Sequence, residues 1–133
     1  MDSRGRTAFG LLIAAQAAHS IEEYRYRLFE VFGPPRWLSG LVSSDLATGF
    51  AILNAGIVLF GLWCYLARVR RPHPSDWAFA WFWTVLETAN AIGHGVLALR
   101  QGGYFPGVAT APLLLGLSLY LGARLARPAQ ASA

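Results

Sequence analysis

The chain has 133 residues, of which 55% are hydrophobic and only 14% charged, and its formal net charge is +4. Soluble domains usually carry about 25% charged residues, so the composition disfavours a typical cytosolic enzyme, a disordered chain and a coiled coil. All eleven basic residues are arginines, and most lie at the ends of apolar stretches. That pattern is typical of membrane proteins and gives no indication of a nucleic-acid partner. A single cysteine, Cys64, excludes an internal disulfide.

Four apolar stretches follow one another along the chain, over about residues 7–29, 45–67, 76–99 and 105–125. Each has roughly the 20 residues that a helix needs to cross a ~30 Å hydrocarbon core. The segments between them are short and rich in glycine and proline, which favours antiparallel neighbours. Asp45 and Ser75, with their flanking residues, are predicted helix N-caps. The sequence therefore predicts one integral membrane domain over residues 1–133, an all-α four-helix transmembrane bundle.

The arginines predict how such a bundle is oriented. If all four stretches span, seven arginines fall on one side of the membrane and four on the other, namely Arg4, Arg6, Arg68, Arg70, Arg71, Arg124 and Arg127 against Arg25, Arg27, Arg36 and Arg100. The excess places both termini in the cytoplasm. A rival interpretation of the first stretch is a cleaved secretory signal, because a basic start and an apolar run precede Ala15-Gln16-Ala17.

Two of the predicted helices carry polar side chains at helical spacing. On the first, His19, Glu22 and Glu23 share a face that Gln16 and Tyr26 extend; on the third, the corresponding face carries Trp83, Glu87, Asn90 and His94. At ~1.5 Å per residue the two sets lie at similar depth, and Asn54 of the second helix falls near the same level. Ionisable groups in a membrane cost roughly 2.5–3.5 kcal/mol each, which makes them functional candidates. Hydrogen bonds that only join helices stabilise a membrane protein by about 0.6 kcal/mol each, which is less than this cost.

The two motifs resemble a known family. His19-Ser20-Ile21-Glu22-Glu23 is His-x-x-Glu-Glu, Asn90-Ala91-Ile92-Gly93-His94 is Asn-x-x-x-His, and Tyr104-Phe105-Pro106-Gly107 precedes the last stretch. Together they are similar to the HXXEE-domain family of small bacterial integral membrane proteins. The resemblance implies a multi-pass protein of the bacterial cell membrane and supports the choice of His19, Glu22, Glu23, Asn90 and His94. It implies no substrate.

The first functional hypothesis is an intramembrane enzyme that modifies a lipophilic small molecule or lipid by proton transfer. Paired carboxyl and imidazole groups can hold and move a proton near neutral pH, as a double-bond isomerase or a cation-type cyclase requires. No cofactor is expected in this mechanism. Its catalytic residues would be His19, Glu22, Glu23, Glu87, Asn90 and His94, and its substrate-binding residues Gln16, Tyr26, Asn54 and Trp83.

Two further hypotheses remain open. Histidine and glutamate are also ligands for divalent transition metals, so His19, Glu22, Glu23 and His94 could hold one in a membrane oxidase or hydrolase. The third hypothesis is a non-enzymatic protein that binds a lipophile or couples to protons or ions. No internal repeat supports a transporter, although a homodimer could supply one.

Overall fold

The computed structural model describes residues 1–126, and over that range the chain is entirely helical. It has six α-helices and one π-helix: α1 Ser3–Arg25, α2 Leu28–Val31, α3 Gly33–Val42, α4 Leu46–Cys64, the π-helix Tyr65–Val69, α5 Asp76–Gln101 and α6 Ala111–Leu125. The all-α prediction is confirmed. Arg127, which entered the orientation count, and the alanine-rich tail after it lie outside the described residues.

Side-chain caps mark where two of the long helices begin. Asp2 accepts a hydrogen bond from the backbone N–H of Gly5 at 2.8 Å, and Asp45 accepts one from Thr48 at 3.0 Å. Each satisfies an N–H that has no partner inside its helix. The cap predicted at Asp45 is confirmed, whereas Ser75 precedes α5 without a side-chain cap bond.

The predicted first helix is wrong at its C-terminal end. Helix α1 stops at Arg25, and Arg27 adopts a left-handed backbone with φ of 56° before the short α2 begins. The expected linker around Gly33 is also wrong, because it forms α3, with prolines at the first helical positions. Proline is favoured there since its fixed φ suits the helix and its missing N–H is not needed.

The predicted fourth helix begins too early. Residues 106–110 form turns, and α6 starts only at Ala111. Phe105, Pro106 and Gly107 are buried, and Gly107 has a φ of +94° that L side chains rarely adopt. Below, the segment 102–110 is called the α5–α6 loop. The second helix, in contrast, continues past the predicted end at residue 67 as the π-helix.

The long helices pack around α1 and α6. Helix α6 lies against both α1 and α5, and α1 also packs against α4. One apolar core joins them near the chain start of α1 and includes Phe9, Leu12 and Trp83. A second cluster, with Phe29, Phe50 and Phe105, lies at the other end, where α2 and the α5–α6 loop meet α4.

One helical segment, Leu46–Val69, is long and apolar enough to cross a membrane, with a mean hydropathy of 2.0. Ala111–Leu125 is apolar but shorter. Of the four predicted spans, the described residues therefore give one clear candidate by length and composition.

Candidate functional site

Helices α1 and α5 bring two imidazoles and one carboxylate together inside the protein. Glu23 Oε1 lies 3.1 Å from His94 Nε2 and 3.4 Å from His19 Nε2. The imidazole rings meet edge to face with their centroids 4.7 Å apart. His19 and Glu23 are one helical turn apart on α1, so both point to the same side. All three residues are buried.

The second nitrogen of His94 defines its neutral tautomer. His94 Nδ1 lies 2.7 Å from the carbonyl oxygen of Pro106, and a carbonyl can only accept a hydrogen bond. Nδ1 therefore carries the proton and donates it. In the neutral ring, Nε2 is then left with a lone pair that points at Glu23.

A hydroxyl group defines the neutral tautomer of His19 in the same way. Its Nδ1 lies 2.7 Å from Thr110 Oγ1, and that hydroxyl lies 2.5 Å from Glu22 Oε2, to which it donates its only proton. The hydroxyl accordingly accepts from His19 Nδ1–H. His19 Nε2 is fully buried and has no hydrogen-bond partner among residues 1–126.

Two nitrogen lone pairs and a carboxylate oxygen thus face one another in a buried space. Such a group requires a proton or a metal ion among its members, because three acceptors without a donor would repel one another. A proton on Glu23 or on one imidazole, or a metal ion bound by all three residues, would satisfy this requirement.

His19, Glu23 and His94 could hold a metal ion. One potential ligand atom from each lies within 4.8 Å of the others. Adjacent ligands of a tetrahedral site with ~2.0–2.1 Å bonds are about 3.3–3.4 Å apart, close to the observed 3.1 and 3.4 Å. The Nδ1 contacts also match the usual arrangement, in which a metal-bound histidine donates its other N–H to a carbonyl or similar acceptor.

Glu22 faces the α5–α6 loop instead of this group. Its Oε1 accepts from Tyr104 Oη at 2.5 Å and from the N–H groups of Gly107 and Ala109 at 3.1 Å each, and its Oε2 accepts from the Thr110 N–H at 2.8 Å. Burial and this carboxylate raise the pKa of Tyr104, which keeps the phenol a donor. Glu22 therefore fastens the loop to α1.

Glu87 is the remaining buried carboxyl beside the imidazoles, and 1% of it is exposed. Asn90 Nδ2 donates to its Oε2 at 3.3 Å. In the amide orientation that satisfies both ends of Gln16, its nitrogen donates to the same oxygen at 2.9 Å and its oxygen accepts from Ser20. Within residues 1–126, Glu87 forms no ion pair.

Three predicted substrate-binding residues lie apart from the carboxylate and imidazole group. Asn54 donates to the Phe50 carbonyl of its own helix at 3.1 Å. Tyr26 is exposed and contacts Tyr104, with ring centroids 5.0 Å apart. Trp83 is buried one turn before Glu87 and packs against aromatic side chains. Gln16, in contrast, is part of the polar network.

Residues of the α5–α6 loop, which helical spacing does not identify, complete the site. Thr110 and Pro106 hold the two imidazoles, and Gly107 lies against both rings, since a Cβ there would stand 2.6 Å from His94 Nδ1 and 2.8 Å from His19 Cε1. The only sequence signal for this segment was Tyr104-Phe105-Pro106-Gly107, which entered through the family resemblance alone.

A family model described as "Protein of unknown function with HXXEE motif" matches residues 10–121. The chain belongs to this HXXEE family. Comparisons with curated proteins and with solved structures found no match. In this member the first and last letters of the HXXEE motif, His19 and Glu23, point into the candidate metal site, and the fourth, Glu22, holds the loop.

Proposed function

We propose that this protein is a multi-pass membrane enzyme with a metal centre formed by His19, Glu23 and His94, and that it acts on a lipophilic small molecule. The single observation that carries the proposal is the convergence of the Nε2 atoms of His19 and His94 on Glu23 Oε1, while each Nδ1 lies 2.7 Å from an oxygen of the α5–α6 loop. A fixed tautomer at each imidazole is what a preformed metal site needs.

The distribution of polarity supports the membrane part of the proposal. The interior holds a set of buried polar side chains, while large apolar side chains are exposed on every long helix, for example Ile21, Ile52, Leu59, Val85, Leu99, Leu113 and Leu119. Soluble monomers rarely expose apolar surface on this scale. Lipid around the bundle would cover it.

Helix length and backbone hydrogen bonding agree with this interpretation. Helices α1 and α5, of 23 and 26 residues, are about 35 and 39 Å long at 1.5 Å per residue, enough to cross a ~30 Å core. Their mean hydropathy is lowered by the polar residues that face inward. Irregular backbone is tolerated at membrane depth only where its polar groups are satisfied, and Glu22 accepts three N–H groups of the α5–α6 loop.

Salt bridges hold one end of the bundle together. The N-terminal amine and Arg6 both lie 3.4 Å from Asp76, and Arg124 pairs with Asp2. The start of α1, the start of α5 and the end of α6 therefore meet at one end. This end carries most of the arginines, as the positive-inside rule expects of a cytoplasmic face.

A bound divalent metal would supply Lewis acidity or redox chemistry for hydrolysis or oxidation of the substrate. The chain's own residues would provide the rest. His19, Glu23 and His94 leave part of the coordination sphere to other ligands, Glu87 offers a carboxyl for proton transfer, and Asn90 and Gln16 orient that carboxyl.

A metal-free acid–base enzyme is the second candidate. It is favoured by Glu87, a buried carboxyl that interacts electrostatically with both imidazoles and forms no ion pair within residues 1–126. In that mechanism a proton, and not a metal, lies between Glu23 and an imidazole. The double-bond isomerase or cation-type cyclase hypothesis belongs here.

Elemental analysis of the purified protein in detergent separates the two candidates. We expect about one transition-metal ion per chain, lost in His19→Ala and in His94→Ala. The matched control is His73→Ala, because His73 lies between the π-helix and α5, where its ring contacts Arg68 and Ser75. Metal-free wild-type protein that also fails to take up added Zn²⁺, Mn²⁺ or Fe²⁺ would refute the metal centre.

A further inference from the structure

The hydroxyl of Thr110 connects Glu22 to His19. Thr110 Oγ1 lies 2.5 Å from Glu22 Oε2 and 2.7 Å from His19 Nδ1. A hydroxyl has one proton and two lone pairs. Because an ionised carboxylate can only accept, the proton goes to Glu22 and a lone pair is left for His19 Nδ1–H.

We infer that Glu22 is a positioning residue for the metal site. Through Thr110 it holds His19 in the tautomer with a bare Nε2, and through the same carboxylate it fastens the α5–α6 loop across the two imidazoles. Loop closure and metal binding are then one coupled equilibrium. The metal half of this inference rests on the proposed metal centre, whereas the tautomer of His19 does not.

The tautomer of His19 is fixed because the opposite hydrogen-bond direction would cost Glu22 a hydrogen bond. If His19 carried its proton on Nε2, Nδ1 would need a donor, and Thr110 would have to turn its proton away from Glu22. Glu22 Oε2 would then keep only the Thr110 N–H at 2.8 Å. Hydrogen bonds to a charged group are the strong ones, so the Glu22 carboxylate favours the direction in which Thr110 donates to it and accepts from His19.

The same loop also brings the acceptor for the other imidazole. Pro106 lies between Tyr104 and Gly107, both of which bind Glu22 Oε1, and its carbonyl oxygen receives His94 Nδ1–H. Opening the loop would therefore release both imidazoles at once. This arrangement couples the loop to the metal ligands without making Glu22 a ligand.

A purely structural role for Glu22 is the competing explanation. Its carboxylate accepts three N–H groups of the α5–α6 loop just before α6, and these bonds alone would hold the loop in place. Thr110→Val separates the roles, because it removes the hydroxyl and keeps the backbone N–H bond to Glu22 Oε2. Thr110→Ser restores the hydroxyl.

The first measurement is metal affinity, from Zn²⁺ or Co²⁺ titration of the chelator-treated protein in detergent. Loss of an outer-shell partner typically costs 10–100-fold in metal affinity. We expect that loss in Thr110→Val and near wild-type affinity in Thr110→Ser. Thr88→Val is the matched control, since the Thr88 hydroxyl binds Ser118 at 2.9 Å away from the site.

The second measurement is the tautomer of His19 in the metal-free protein, from the ¹⁵N chemical shifts of its imidazole. We expect a proton on Nδ1 in the wild type and in Thr110→Ser, and a mixture of tautomers in Thr110→Val. Tyr104→Phe should leave the tautomer unchanged, because Tyr104 binds the other carboxylate oxygen.

Wild-type tautomer and affinity in Thr110→Val would overturn the inference. If the wild type binds no metal, the proposed metal centre fails, and the ¹⁵N spectra still decide whether Glu22 acts through Thr110. Should Thr110→Val fail to fold while Thr110→Ser folds with mixed tautomers, the positioning role would also be refuted.

Discussion

Gly107→Ala tests the site at its tightest point. Gly107 has a φ of +94°, and a Cβ built on it would lie 2.6 Å from His94 Cε1 and Nδ1 and 2.8 Å from His19 Cε1. The substitution adds one methyl group between the α5–α6 loop and both imidazoles. The three residues proposed as metal ligands, His19, Glu23 and His94, are not themselves changed.

The expected cost has two sources. A left-handed backbone costs an L-residue roughly 1–2 kcal/mol, and overpacking a filled interior costs roughly 1–3 kcal/mol. The variant should therefore lose about 2–5 kcal/mol of unfolding free energy. Ordinary Cβ contacts begin at 3.4 Å, so the imidazole of His94 must retreat by about 0.8 Å, well beyond the ±0.2 Å tolerance of metal–ligand distances. We expect loss of the metal as well as of stability.

Denaturant unfolding in detergent, followed by metal titration of the folded fraction, measures both effects. Gly93→Ala is the matched control, because Gly93 precedes His94 in α5 and a Cβ there meets nothing within 4 Å. In a helix interior this control should gain up to about 1 kcal/mol. Gly107→Ala with wild-type stability and metal affinity would refute the packing described for the site.

Three further predictions concern other parts of the fold. Gly49→Ala should lower the unfolding free energy by about 1–3 kcal/mol, because the added Cβ would overlap the carbonyl oxygen of Ser39 in α3. Gly56→Ala on the same helix should not, because a Cβ there meets nothing within 4 Å. Glu87→Gln should raise the thermal midpoint of the metal-free protein, since a buried carboxyl without a cationic partner is unfavourable; a lower midpoint would favour a purely structural role. The Thr48 hydroxyl lowers the pKa of Asp45, so its stabilisation is present above the unfolded pKa near 3.8 and lost as the pH falls through the folded value. Asp45→Ala should therefore destabilise at pH 7, and this cost should shrink as the pH falls below 3.8, as measured by pH-dependent unfolding.

The lengths of the apolar stretches predicted the long helices, but local backbone conformation determines where the helices end. Hydrophobic periodicity does not register the left-handed turn at Arg27, which separates α1 from α2. The prolines that begin α3 look like a linker when read as breakers, although proline is favoured at the start of a helix. Residues 105–110 are apolar enough for a helix, yet Pro106 and Gly107 instead form the turns that carry the loop over the site.

Helical spacing predicted that His19 and Glu23 share one face of α1, because residues three or four apart lie on the same side, and similar depth along the predicted helices predicted that His94 of α5 lies at their level. Helical spacing could not distinguish Glu22 from Glu23. The two side chains are adjacent on α1 and about 100° apart around the helix axis, so one faces α5 and the other the α5–α6 loop. Which face meets which neighbour depends on tertiary packing, and the loop partner Thr110 is 88 residues away from Glu22 in sequence.

The free-energy cost of burying these polar side chains also favours a functional role for them over a purely structural one. Small residues already allow close helix contact where α3 meets α4 at Gly49, and such contacts need no buried charge. Around the imidazoles, by contrast, the chain uses Glu22, a glycine with a positive φ and two loop acceptors to orient both rings. An Nε2 lone pair that meets neither a donor nor a metal is unfavourable in a dry interior. The proposed metal would remove that cost, and the affinity of the site for it should fall in every variant that frees either imidazole to rotate.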